Sequence, residues 1–93
     1  MILDLSLSNN QLYEGLPIEV LAGRPTLTTS PDQAIPFIVA NLRNFSIDPD
    51  EVVISGNMAI WVYLVVFHYI HGKTKRIFYE DGRGLKILIA AHG

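Results

Sequence analysis

The chain has 93 residues, enough for one small domain with a core of one or two layers. Hydrophobic residues make up 49% of it and charged residues 17%, a composition that excludes a disordered chain. It has no cysteine, which excludes disulfides and thiolate metal sites and agrees with a reducing cytoplasm. The longest apolar run, residues 58–67, is far below the roughly 20 residues that span a bilayer, and the N-terminus is not that of a signal peptide. We therefore expect a cytoplasmic protein without a membrane segment.

The net charge of -2 is unevenly distributed. Five of the seven basic residues lie in one late segment: Lys73, Lys75, Arg76, Arg83 and Lys86. A local basic patch on an acidic chain favours a small anionic ligand over duplex DNA, which needs a broadly basic face. The alternative is a solvated turn region.

The first half of the chain predicts two strands and a helix. Residues 2–7 alternate apolar and polar side chains, as a half-buried strand does, and residues 11–21 resume a strand-like pattern interrupted by Gly15 and Pro17. Residues 22–31 read as a loop. A helix begins near Ser30, with Gln33 as a capping-box partner, and Pro36 delays its regular part to about Ala34.

The second half predicts a buried strand, a helix and a closing hairpin. The β-branched run Glu51–Ser55 is typical of a central strand, and residues 58–71 form an apolar helix capped by Gly72. Residues 75–80, the turn 81–84 and residues 85–91 form the hairpin. The order ββαβαββ predicts one small α/β domain over residues 1–93, with a Rossmann-like sheet that is parallel around the central strand and antiparallel at the hairpin.

The turn Ser55, Gly56 and Asn57 leads from the central strand into the apolar helix. Free backbone N–H groups at such a place bind anions, phosphates above all. The motif is short, and the same residues also suit an ordinary turn with Asn57 as the N-cap.

Two histidines, His68 and His71, lie one helical turn apart near the end of the apolar helix. Imidazoles so placed can share a metal ion or divide into a ligand and an acid/base group. The spacing has no third ligand, so two hydrogen-bonded structural histidines are the plainer interpretation.

Glu80 and Asp81 end the fourth predicted strand, where carboxylates either cap a turn or join His71 around a divalent cation. Arg83, in the same turn, can bind a phosphate. Aromatic residues of the apolar helix are expected to pack in the core rather than to stack on bases: Trp61, Tyr63, Phe67 and Tyr69.

Over residues 52–92 these features resemble the small X-type CRISPR-associated proteins, the third family of ring nucleases. The resemblance is carried by Ile-Ser-Gly at 54–56, Ile-Trp at 60–61, His-x-x-His at 68–71, and a strand ending in a tyrosine, an acid and a glycine-bounded turn. It implies a Rossmann-like relative of the domains that sense cyclic oligoadenylates. It also implies a manganese-dependent enzyme that cleaves cyclic tetra-adenylate to linear di-adenylate and so ends antiviral type III CRISPR signalling. Such proteins work as homodimers, two of which enclose the ring, and have also been described as nucleases of RNA 3′ ends.

The resemblance also assigns roles to individual residues. The catalytic histidine falls on His71, and the catalytic acid on Asp81 or, without a gap, on Glu80. His68, His71 and Asp81 are the expected metal ligands. The expected ligand-binding residues are Ser55, Gly56, Asn57, Arg83 and Lys73, and His92 matches a histidine after the last strand.

One departure keeps other functions open. The family has Arg-Gly-Pro after Ser-Gly, where this chain has Asn57, Met58 and Ala59, so one expected phosphate contact is missing. A sensor that binds a cyclic oligoadenylate or RNA without cutting it remains an alternative. A third is an assembly subunit in which the two histidines only pack.

Overall fold

Six strands and two helices follow one another along residues 1–92, the part of the chain that the computed structural model describes. In chain order they are β1 (Ile2–Asp4), β2 (Ile18–Leu21), β3 (Arg24–Leu27), α1 (Pro31–Leu42), β4 (Glu51–Ser55), α2 (Ile60–Ile70), β5 (Arg76–Glu80) and β6 (Lys86–Ala91). The predicted α/β class is confirmed. The chain has one strand more than the predicted order, because β2 and β3 form a hairpin of their own.

The main sheet has four strands in the order β1-β4-β5-β6. Strand β4 pairs in parallel with β1 on one side and with β5 on the other, and β5 and β6 pair antiparallel. A register shift opposite Ile77 and Phe78 leaves Ile89 as an extra residue in β6. The mixed sheet with its closing hairpin is thus the predicted one.

Both helices lie on the same face of this sheet. The connections β1 to β4 and β4 to β5 step across the sheet in one direction, and right-handed crossovers then put both helices on one side. Helices α1 and α2 contact each other, and their buried residues share one core with alternate strand residues. This core includes Leu3, Leu5, Ile38, Leu42, Val52, Ile54, Val62, Val66, Ile70 and Ile77. The domain therefore has two layers, with the other sheet face uncovered.

The strand predicted for residues 11–21 is shorter than expected. Residues 10–15 form consecutive turns in which Leu12 and Tyr13 are buried, and only Ile18–Leu21 is a strand. The side-chain amide of Asn41 donates to the carbonyls of Leu12 and Glu14, at 2.8 and 2.9 Å, which holds the turns against α1. The apolar residues that suggested a strand at the start of this segment are thus the buried side chains of the turns, Leu12 and Tyr13.

The loop predicted for residues 22–31 contains β3. Ala22 and Gly23 both have positive φ, at 51° and 78°, the conformation of a two-residue type I′ hairpin turn. Pro25 argued against a strand, but it lies in a two-stranded ribbon where a missing N–H is tolerated.

Helix α1 begins at Pro31, next to the predicted start at Ser30, and its regular part is not delayed to Ala34. Pro36 lies inside the helix and removes a single backbone hydrogen bond near its start. Ser30 occupies the N-cap position but makes no side-chain cap hydrogen bond, so the predicted capping box with Gln33 is wrong.

Helix α2 is less buried than its composition suggested. Val62, Val66 and Ile70 are buried at a four-residue spacing, whereas Ile60 and Leu64 are 78% and 64% exposed. The C-cap is His71 and not Gly72, because the chain continues in a right-handed turn in which Lys73 N bonds to Ile70 O. Neither helix of residues 1–92 is long and apolar enough to cross a membrane.

Candidate functional site

An open cleft of about 600 Å³ lies at the carboxyl ends of β1, β4 and β5. Parallel strands end at the same edge of a sheet, so residues far apart in sequence meet there. We call this the strand-end cleft; it is lined by Asp4, Ser6, Ser55, Gly56, Asn57, Met58, Tyr63, Tyr79, Glu80, Asp81 and Gly82. The structure therefore brings the predicted turn 55–57 and both candidate acids to one place.

The turn at Gly56 is tightly constrained. Its φ is +104°, and a Cβ at this position would lie 2.3 Å from Asp4 Oδ1 and 2.8 Å from Ser6 N. The Tyr63 hydroxyl donates a hydrogen bond to the Gly56 carbonyl and fixes the turn against α2. Asn57 is not the N-cap of α2, since Ala59 occupies that position and makes no side-chain cap bond. Only glycine brings the backbone this close to the end of β1.

The carboxylates of Glu80 and Asp81 organise the turn between β5 and β6. Glu80 Oε1 accepts hydrogen bonds from Gly82 N at 2.9 Å and Gly84 N at 3.0 Å. Asp81 Oδ1 accepts from Arg83 N at 2.9 Å, and Oδ2 accepts from Arg83 Nη2 at 2.8 Å. The backbone N–H of Arg83, followed by its guanidinium, holds the pKa of Asp81 below its ordinary value. Turn capping is thus the role of both acids in the isolated chain.

Arg83 reaches outward and is engaged by Asp81. Its guanidinium makes two bonds to Asp81 Oδ2, while its side chain is 83% exposed. No lysine or arginine lines the strand-end cleft among the described residues. The cleft is therefore acidic, and its hydrogen-bond donors are uncharged: backbone N–H groups, hydroxyl groups and the side-chain amide of Asn57.

His71 lies at the opposite end of the strands from the cleft, beside the start of β5. Its Nε2 is 2.8 Å from His92 Nε2, and His92 N donates to Lys75 O just before β5 begins. Asp81 directly follows the end of β5. A strand of five residues is roughly 17 Å long, so His71 and Asp81 do not meet in one chain. Lys73 belongs to the His71 edge as well, with its Nζ 4.7 Å from the centre of the Tyr69 ring.

His68 faces a different surface from His71. It lines a groove between α1 and α2 together with Ile35, Val39 and Arg43. Residues three apart on a regular helix differ in direction by only about 60°, but His71 lies past the last helical residue of α2. Its ring packs against Phe67 and His92 and does not line the groove. Residues 1–92 contain no group of three or more His, Asp or Glu placed to hold a metal ion. The expected ligand set His68, His71 and Asp81 is not assembled within one chain.

Six lining residues of the cleft were not among the predicted site residues, and three of these have titratable side chains: Asp4, Tyr63 and Tyr79. Asp4 ends β1, and its Oδ1 accepts from Ser6 N at 2.8 Å. Tyr63 and Tyr79 pack edge to face with ring centres 5.5 Å apart. Burial, then the neighbouring Tyr79, Asp4 and Glu80, raises the pKa of Tyr63 to about 12. Asp4 was not assigned to the site because the first strand was predicted over residues 2–7, whereas β1 ends at Asp4 and pairs with the central strand β4.

Comparison of the chain with protein-family models, with curated proteins and with solved structures finds no match.

Proposed function

We propose that the protein is a ring nuclease that cleaves cyclic tetra-adenylate to linear di-adenylate and so ends type III CRISPR signalling in the cytoplasm. The observation that carries the proposal is the strand-end cleft, in which the tight turn at Gly56 and the acids Glu80 and Asp81 share one edge of the sheet. This edge is where α/β domains with parallel strands bind nucleotides.

The nucleoside part of the ligand fits the cleft better than its phosphates do. Carboxylates accept hydrogen bonds from ribose hydroxyls, and Asp4 and Glu80 both line the cleft. The exposed parts of Tyr63 and Tyr79 offer an aromatic wall for adenine. The phosphates would then lie at the mouth of the cleft, where Arg83 is exposed.

Joint action of His71 with the acids requires a second copy of the chain, since the two lie at opposite edges of one sheet. In the proposed assembly, two homodimers enclose the ring, and the His71 edge of one copy faces the strand-end cleft of another. A cyclic ligand with repeated units suits such a symmetric arrangement, because each copy repeats the same contacts.

His71 would supply proton transfer in this assembly. At an Nε2 to Nε2 distance of 2.8 Å, one imidazole N–H of the pair His71 and His92 donates a hydrogen bond to the other ring, and the tautomer decides which of the two carries the proton. Phosphodiester cleavage needs such a group near neutral pH. Mn²⁺ remains part of the proposal as the cofactor, but the described residues of one chain do not build its site.

The proposal is tested by incubating the protein with labelled cyclic tetra-adenylate in Mn²⁺ and in EDTA and separating the products. We expect linear di-adenylate only with Mn²⁺, loss of turnover in His71→Ala, and retention in His68→Ala, whose side chain faces the α1–α2 groove. An intact ring with Mn²⁺ would exclude the enzyme for this substrate. Labelled RNA with an adenylate tail, run in parallel, tests the related activity on RNA 3′ ends.

A sensor without catalysis is the second candidate. It is favoured by the hydrogen bonds that occupy both carboxylate oxygens of Asp81 and by the lack of basic residues in the cleft within the described chain. Tight binding of the intact ring, with no product over many hours, would support it. Absence of binding altogether would favour an assembly subunit.

A further inference from the structure

The histidines His71 and His92 form a pair whose backbones are both anchored. His71 N donates to Phe67 O at 3.0 Å at the end of α2, and His92 N donates to Lys75 O at 2.6 Å. The Phe67 ring packs against the His71 ring with centres 5.3 Å apart. The two imidazoles are therefore held beside each other by the helix end and by the strand that closes the sheet.

Two ring nitrogens of this pair, both on exposed side chains, lie within hydrogen-bond distance of each other. Nε2 of His71 and Nε2 of His92 are 2.8 Å apart, and the rings lie at 77° to one another. In this contact one nitrogen donates its proton to the lone pair of the other. If the proton moves to Nδ1 of the donor ring, both Nε2 atoms present lone pairs to the same small space.

That spacing matches two neighbouring ligands of one metal ion. Bonds from metal to imidazole nitrogen are about 2.0–2.1 Å long, so two such ligands at a right angle are about 2.9 Å apart. A tetrahedral angle would separate them by about 3.3 Å. The observed 2.8 Å is close to the spacing of two adjacent imidazole ligands, and the general affinity order for nitrogen ligands places Cu²⁺ and Ni²⁺ far above Mn²⁺.

We propose that His71 and His92 form a two-imidazole site for a late first-row divalent cation, Cu²⁺ or Ni²⁺ before Zn²⁺, with water in the remaining positions. The site shares His71 with the proposed nuclease, but metal binding by the pair does not require that activity and is measured without a nucleotide. It differs from the metal set expected from the sequence, because it uses His92 in place of His68 and Asp81. Mn²⁺, which prefers oxygen ligands, is expected to bind it weakly.

The first test is calorimetric titration of the untagged protein with Ni²⁺, repeated on single variants. We expect one ion per chain, an affinity roughly tenfold or more lower in His92→Ala and in His71→Ala, and an unchanged affinity in His68→Ala. His68→Ala is the matched control, since it removes an exposed histidine from the same helix. With Cu²⁺, the electron paramagnetic resonance spectrum should show coupling to two imidazole nitrogens in the wild type and to one in His92→Ala.

A second readout is thermal stability, because an ion held by both residues joins the end of α2 to the end of β6. At an ion concentration a hundredfold above the dissociation constant, we expect Tm to rise by about 10 °C in the wild type and in His68→Ala. Circular dichroism without metal checks that each variant is folded. The proposal is overturned if His92→Ala binds Ni²⁺ as tightly as the wild type, if His68→Ala weakens binding equally, or if the wild type does not bind at millimolar ion.

Discussion

Gly56 and Asp4 are so close that a single methyl group does not fit between them: a Cβ on Gly56 would lie 2.3 Å from Asp4 Oδ1. The contact joins the end of β4 to the end of β1 and shapes the strand-end cleft. Both strands must end in register for it to form, and their parallel pairing places Asp4 opposite Ser55, the residue before Gly56.

We therefore expect Gly56→Ala to destabilise the protein by about 3 kcal/mol, because it adds both a collision and a strained positive φ. Urea unfolding followed by circular dichroism measures the change. Gly72→Ala is the control, since a Cβ there meets nothing within 4 Å and no positive φ is required. Equal stability of the two variants would contradict the described turn.

The buried hydroxyl of Tyr13 is expected to stabilise the fold through its hydrogen bond to Leu5 O. Tyr13→Phe leaves this buried carbonyl without its donor and should lower the free energy of unfolding by about 1–2 kcal/mol. Tyr69→Phe is the control, because the structure gives the Tyr69 hydroxyl no partner among residues 1–92. A loss of similar size in both variants would show that the bond to Leu5 is not the cause.

Stability should fall in alkaline solution. Burial is the main cause that raises the pKa of Tyr13 and that of Tyr63, so the folded state binds these protons more tightly than the unfolded chain. Their stabilisation is complete below the ordinary tyrosine pKa of 10.0 and is lost as pH rises towards their folded pKa values. Urea midpoints between pH 8 and pH 11 measure this, and the double variant Tyr13→Phe/Tyr63→Phe should flatten the decline. An unchanged slope would contradict it.

The hairpin between β5 and β6 should loosen in acid. The pKa of Asp81 is lowered by the backbone N–H of Arg83 and then by its guanidinium, so its contribution is present above pH 3.8 and is lost as pH falls through the lower folded value. Asp81→Asn should likewise speed amide hydrogen exchange in β6 at neutral pH. Glu14→Gln, which changes an exposed carboxylate outside the hairpin, is the control. If the amides of β6 exchange equally slowly in both variants, Asp81 does not stabilise the hairpin by capping its turn.

Local patterns predicted the centre of the fold better than its periphery. The β-branched run Glu51–Ser55 has the bounds expected from sequence, because its β-branched residues favour a strand locally and its three central residues are buried. The glycine turn predicted at 81–84 is present and extends to residue 85, since β6 begins at Lys86. Strand β3 was missed because Pro25 is penalised in a sheet interior but not in a two-stranded ribbon. The turns at 10–15 depend on Asn41, 26 or more residues away, which no local pattern contains.

The candidate site was predictable only in part, because the direction of the strands and helices decides which residues meet. The carboxyl ends of parallel strands lie together, and this rule brings Ser55 and Glu80 into one cleft. Asp4 joins them because β1 also pairs in parallel with β4. A helix that follows a parallel strand runs back to the opposite edge, which places His71 away from Asp81. A sequence motif gives the order of residues but not the end of the sheet at which each one lies. Residues of one family motif can therefore be far apart in one chain and meet only between two copies.

The most direct test of the account is to mix two inactive variants and measure cleavage of cyclic tetra-adenylate with Mn²⁺. One is His71→Ala, and the other is Glu80→Gln/Asp81→Asn, so each keeps one half of the proposed site. If the halves come from different copies, random mixing restores about a quarter of the wild-type rate while each variant alone stays inactive. An active wild type whose variants do not complement each other would contradict the two-copy site, and an inactive wild type would contradict the ring nuclease itself.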